Sequence, residues 1–155
     1  GLDEVLLEDE RFFTDWQQLM QDLNLDYTLF FQSLEKAALD IKIDDFSNSF
    51  YRNLNENELN RLSNFIEKYQ ARKLRNKISE LESLELMSKT NPKFILRNYL
   101  LFEAIQDAEQ DNYERFFELK EALENPYENR FPQFNQKRPS KYDNQTGCSQ
   151  LYSNT

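Results

Sequence analysis

Between residues 2 and 124 the apolar side chains return every three or four positions, and no period-two alternation with β-branched content survives four residues. A period near 3.6 gathers such side chains on one face of a helix, whereas a half-buried strand needs a period of two. The pattern therefore predicts an all-α chain. Its interruptions are Asn- and Asp-rich, and those side chains compete with helix by bonding their own backbone.

The first predicted helix covers residues 2–24, with Val5, Phe12, Trp16, Leu19 and Leu23 inward and Phe13 and Met20 beside them. Asp26 is placed to cap the second helix, which turns Tyr27, Phe30, Phe31, Leu34, Ala38 and Ile41 inward. A short helix from Asp44 and Asp45 holds Phe46 and Phe50, and residues 53–57 connect it to a longer one. That helix turns Leu59, Leu62, Ile66 and Tyr69 inward, and a weaker helix follows over residues 78–87.

Residues 91–127 read as a helix, a tight turn and a second helix. Asn91 is placed as the cap, with Pro92 at the first helical position, where its missing N–H costs nothing. The helix is expected to run to Gln110, with Phe94, Leu101, Ile105 and Ala108 as its apolar stripe. Asn98 falls inside that stripe and Arg97 on its edge. A buried amide costs about 1–3 kcal/mol unless paired. The two therefore read either as a satisfied structural pair or as an anchor for a neighbouring domain. Asn125 and Pro126 end the second helix.

From residue 128 the period disappears and Pro132, Pro139 and Gly147 enter, so an extended polar coil tail is expected over 128–155, anchored by Phe131, Phe134 and Tyr142. The whole is predicted to be an antiparallel helical bundle of about six or seven helices in residues 1–127, plus that tail. The length suits one domain and is enough for a sizeable core.

Composition excludes several chemistries. With no His there is no Ser–His or Cys–His pair and no imidazole metal site. Two Gly leave no glycine-rich phosphate loop. A net charge of −9 disfavours nucleic acid and anionic membranes as partners. The one basic cluster, Arg72, Lys73, Arg75 and Lys77, is then better read as solvated cations at a helix C-terminus than as a phosphate contact. Glu80, Glu82 and Glu85 sit at ordinary exposed spacings rather than as an acid/base pair or a metal site. The single Cys148 cannot form an intrachain disulfide, which fits a reducing compartment. Beside Gly147 in a polar tail it is expected to be accessible, although no activating cation is evident nearby.

Several segments carry a resemblance. Asn91-Pro92-x-x-x-Leu96-Arg97-Asn98-Tyr99, Glu103-Ala104-Ile105-x-x-Ala108-Glu109 and Asn125-Pro126-Tyr127 resemble the C-terminal region of the selenoprotein O (YdiU-like) family. Arg138-Pro139-Ser140-Lys141-Tyr142, then Cys148-Ser149, is similar to that family's tail, where a cysteine or selenocysteine precedes serines. Asp26-Tyr27-Thr28-x-x-Phe31-x-x-Leu34 is similar to a further helical segment. The residues after Ser149 depart from the family's usual ending.

The resemblance implies a larger, bacterial cytoplasmic protein with a kinase-like domain that transfers AMP from ATP onto protein Ser, Thr or Tyr hydroxyls with Mg or Mn. Uridylyl transfer is also associated with bacterial members. None of the nucleotide loop, metal ligands or catalytic acid is matched here, so no catalytic, cofactor or metal residue is assigned to this chain. The implied partners are the upstream kinase-like domain and the parent's protein substrates. Asn91, Pro92, Arg97 and Asn98 are assigned as structural or interface residues, and Cys148 as a redox position whose disulfide partner would lie upstream. The alternative is a free-standing acidic helical interaction module without catalysis.

Overall fold

A computed structural model describes residues 1–36 and 41–148. The chain is all-α: the described residues form six α-helices and three short 3-10 helices, and their only strand-like pairing is an isolated bridge between Leu25 and Phe50. The α-helices are α1 (Asp9–Leu23), α2 (Tyr27–Lys36), α3 (Glu56–Lys73), α4 (Glu80–Thr90), α5 (Asn98–Ala108) and α6 (Glu114–Glu124). By packing, the chain divides into two compact units, Gly1–Asn91 and Pro92–Thr155.

In the first unit, α1 packs on α3 and α2 on α4, with the 3-10 helix Ile43–Ser49 against α2 and α3. Leu23, Phe30, Phe46 and Leu62 are wholly buried at its centre. Each such side chain stabilises the fold by roughly 1.5–3 kcal/mol relative to exposure. Phe30 meets Phe46 with ring centroids 4.8 Å apart, and Phe12 stacks on Phe65 at 5.1 Å. The inward residues expected of the second, third and fourth segments are buried or half-buried, except Tyr27, which is 57% exposed, and Ala38, which lies outside the described residues.

The helix starts follow local chemistry. Asp26 caps α2 as expected, accepting from Leu29 N–H at 3.1 Å. Asn55 and Ser79 begin α3 and α4 with reciprocal capping boxes to Glu58 and Glu82.

The first helix begins seven residues later than its hydrophobic period suggests. Residues 1–8 instead form a strap along the end of α3. Asp3 accepts from the Lys77 and Ile78 amides, and Gly1 O accepts from Asn76 Nδ2 and Ser83 Oγ, both at 2.7 Å. Val5, expected inward, is 93% exposed, and Phe13 is 47% exposed. Backbone partners on another element outweighed a continued apolar stripe.

The second unit departs further from its expected start. Asn91 is the C-cap of α4, its N–H donating to Met87 O, and Pro92 does not open a helix. Residues 92–97 run non-helically, and the Lys93 and Phe94 amides both donate to Pro126 O, at 2.7 and 3.0 Å. Asn91 and Pro92 thus do not start a helix, whereas Asn125 and Pro126 follow the end of α6 at Glu124 as expected, and Pro126 also closes this backbone clip. α5 starts at Asn98, with Arg97 as its N-cap residue.

The buried face of α5 is Tyr99, Leu100 and Ala104, while Leu101 and Ile105 are 43% and 51% exposed. Of the expected stripe, Phe94 is buried as expected, ahead of α5, and Ala108 is half-buried, but Leu101 and Ile105 face outward, and Asn98 is half-buried at the helix start rather than inside a core. α6 buries Leu119 and Ala122. The core of this unit is completed by residues 128–148, which contribute Phe134, Tyr142 and Cys148 from two 3-10 turns and irregular chain, with Phe131 packed beside them.

Candidate functional site

The residues singled out in sequence fall into separate places. Asn91 ends α4 and donates from Nδ2 to Phe31 O at 3.3 Å. Pro92 opens the clip, and Arg97 and Asn98 start α5, where Arg97 O accepts from the Leu100 and Leu101 amides. All four are half-buried. Asn91 is thus a helix C-cap and Arg97 a helix N-cap residue.

Cys148 lies in the core of the second unit and is 2% exposed, contrary to the accessibility expected of a polar tail. The cause is the fold of that tail. Arg138 Nη1 donates to Cys148 O at 3.2 Å, Arg138 Nη2 to Asp143 at 2.7 Å, and Cys148 N–H to Gln145 O. Burial pushes the thiol above its ordinary range; the nearby Arg138 charge opposes this and Glu103 adds to it. A protonated, covered thiol is a poor nucleophile, because the thiolate is the reactive form.

Beside Cys148 is a polar cluster that period-based reading did not find. Glu103 on α5 is the hub. One of its carboxylate oxygens accepts from Tyr142 O–H at 2.5 Å and from Lys141 Nζ at 3.4 Å. The other accepts from Arg115 Nη1 at 3.0 Å, while Arg115 Nε donates to Asp107 at 2.6 Å. Tyr142 stacks on Tyr99 and is edge-on to Phe102. Burial, then the Glu103 bond, raises the Tyr142 phenol, and hydrogen bonding to Asp107 first raises the Arg115 guanidinium. The signal in sequence was the pair Glu103 and Asp107, one turn apart beside the buried Leu100 and Ala104. Chemically the cluster fastens residues 138–148 to the α5–α6 hairpin.

The basic cluster is occupied by partners within the first unit. Arg72 is buried and paired with buried Asp9 at 2.7 and 2.9 Å, and it donates to Glu4 O at 2.6 Å. Lys73 pairs with Glu80, Arg75 with Glu8, and Lys77 with Glu4. Arg72 and Lys73 are thus not solvated helix-end cations, as expected from sequence. Arg72 clasps the acidic strap and the start of α1, while Lys73 is tied to Glu80 on α4.

Among the described residues no group of three or more Cys, Asp or Glu is arranged to hold a metal ion. Glu103 and Asp107, one turn apart, are both paired with Arg115. Among the described residues these paired carboxylates leave no open oxygen set for a magnesium or manganese ion. No helix of the described residues is long and apolar enough to cross a membrane.

Comparison with known proteins decides the family. The family model described as "Protein adenylyltransferase SelO" matches residues 1–124. The chain belongs to the SelO family. It is 32% identical to the protein nucleotidyltransferase YdiU of Tolumonas auensis, over 97% of this chain and 30% of that protein. The YdiU of Cytophaga hutchinsonii is also 32% identical, over 96% of this chain and 29% of its own length, and that of Xanthomonas campestris is 31% identical over 97% and 30%. This SelO-family chain therefore spans about 30% of the length of the curated relatives it matches.

Proposed function

We propose that this chain is the C-terminal helical part of a SelO-like protein nucleotidyltransferase, and that it braces an upstream kinase-like domain instead of carrying the reaction. On this reading the parent, in the bacterial cytoplasm, moves AMP from ATP onto protein hydroxyls, with nucleotide and metal held upstream. Support comes from the family match and from the relatives, each named a protein nucleotidyltransferase and each more than three times as long.

The observation that carries the bracing role is the outward face of the α5–α6 hairpin. Leu101 and Ile105 on α5, and Phe116, Phe117 and Leu123 on α6, are 43–62% exposed. They point away from the positions that build the core. Scattered exposed apolar residues are ordinary, but several on two packed helices mark an interaction surface. The occupant we assign is the remaining two-thirds of the same polypeptide. Asn91, Pro92, Arg97 and Asn98 then act by setting the backbone course of this hairpin, and buried Cys148 is a redox position only when residues 138–148 come away.

The test uses radiolabelled ATP, magnesium and a protein acceptor. The 155-residue chain is expected to transfer no label, and the full-length polypeptide to transfer it. Leu101→Ser with Phe117→Ser in the full-length polypeptide is expected to lower transfer and to expose the joint to protease. Label transfer by the 155-residue chain, or a double variant with unchanged transfer and proteolysis, overturns the proposal. An open reading frame starting at residue 1 replaces it with a free-standing interaction module.

A further inference from the structure

The first unit contains an aromatic hollow of about 250 Å³. Four helices line it: Phe12 and Trp16 come from α1, Phe31 and Leu34 from α2, Phe65 from α3 and Met87 from α4. Trp16, Leu34, Phe65 and Met87 are buried and form the floor, whereas Phe12 and Phe31 are half-buried, nearer the mouth. Native interiors hold few voids larger than a water molecule. An apolar cavity of about 150 Å³ already stays dry and takes up benzene. The larger hollow has room for a second fused ring. Its aromatic faces and the Met87 sulfur both pack well against another aromatic ring, and its apolar floor penalises a charged one.

The polar side chains of the wall add a second constraint. Tyr69 O–H donates to Met87 Sδ at 3.7 Å, and Thr90 O–H to Leu86 O at 2.8 Å. Asn91 Nδ2 donates to Phe31 O at 3.3 Å. Both hydroxyl hydrogens are thus spent inside the fold, while a hydroxyl and an amide oxygen keep lone pairs that can accept. Thr90 is exposed and Asn91 half-buried, so these acceptors lie toward the mouth. A concave, mostly apolar site with a few polar groups at one side is the usual form of a small-molecule pocket.

We propose that this hollow is a binding site for a small, uncharged, bicyclic aromatic molecule with one hydrogen-bond donor, the chemistry of an indole ring. The rings fill the space over Trp16, Phe65 and Met87, and the donor is directed to Thr90 or Asn91. Such a ligand touches α1, α2, α3 and α4 at once and so ties the unit together. The site is independent of the bracing role assigned to the α5–α6 hairpin.

The probe is indole, added to the 155-residue chain with carbon-13 labelled methionine methyls. Two methionines are present, and Met20 is buried in the same unit but is not on the wall, which makes it an internal control. Indole is expected to shift the Met87 methyl to saturation, to give nuclear Overhauser contacts to the Met87 and Leu34 methyls, and to leave Met20 nearly unmoved. It is also expected to raise the unfolding midpoint, because a ligand that binds only the folded state stabilises it. Benzothiophene has the same shape without the N–H and is expected to bind about tenfold more weakly, as for one hydrogen bond lost. No saturable shift at Met87, indole contacts only to residues away from the hollow, or equal affinity for benzothiophene overturns the proposal.

Discussion

Arg72 and Asp9 are 63 residues apart in sequence, yet their side chains meet at 2.7 Å with 5% and 2% of their surfaces exposed. The pair ties the end of α3 to the start of α1, and through Glu4 O it also holds the strap. Removing one partner of a buried pair leaves the other charge uncompensated, at about 3–5 kcal/mol. Asp9→Asn or Arg72→Met should each cost that much in urea unfolding. Asp9→Leu combined with Arg72→Met should cost clearly less than either alone.

The same pair sets an acid limb. The Arg72 hydrogen bond, opposed by burial, holds the Asp9 carboxyl below the usual range. Its folded value lies below its unfolded value, so the stabilisation is fully present above the unfolded value and disappears as pH falls through the folded one. Urea midpoints from pH 7 down to pH 2 should fall, and fall less steeply in the Asp9→Leu, Arg72→Met variant, where only the other low-titrating carboxylates such as Glu58 remain.

A second pH dependence arises at the other end of the range. Burial lowers the Gly1 amine from 8.0 to about 6. Between those values the unfolded chain binds more protons, so stability rises with pH from about 6 to about 8. The chain has no His to titrate in that window. Acetylating the amine should flatten the slope of the urea midpoint over this range, and an unchanged slope would assign it to another group.

Residues 138–148 should come loose when their hub is neutralised. Glu103→Gln weakens the bonds from Tyr142, Lys141 and Arg115, of which the charge-assisted ones are the stronger. Labelling of Cys148 by an aromatic disulfide reagent should be slow in the native chain. It should speed up about tenfold, equivalent to about 1.4 kcal/mol of easier opening, in Glu103→Gln. Tyr142→Phe, which removes one hydroxyl and keeps the stacked ring, should give a smaller effect.

Helix starts offer a check on local energetics. Asn55→Ala and Ser79→Ala each remove an N-cap acceptor, at about 1 kcal/mol apiece. The two effects should add in thermal or urea unfolding, since the caps belong to different helices and share no partner.

Much of the fold was legible in the order of residues. The 3.6-residue period of Phe30, Leu34, Leu62, Ile66 and Tyr69 made the chain all-α, because only a helix brings such residues onto one face. Asp26 announced its helix through a side chain that reaches a nearby amide, a purely local interaction. Phe134 and Tyr142 stood out as anchors because little else apolar surrounds them in sequence.

What the sequence alone left open depended on partners distant along the chain. Val5 kept the helical period but lies in a strap whose oxygens accept from donors on residues 72–83. Leu101 and Ile105 kept it too, yet α5 is apolar on two faces, and only packing against α6 and residues 128–148 chose Tyr99, Leu100 and Ala104 as the inner one. Pro92 and Cys148 reversed their expected settings for the same reason. Periodicity says that a face is apolar, but the competing burial and hydrogen bonds of the whole fold decide which face is covered, and by what.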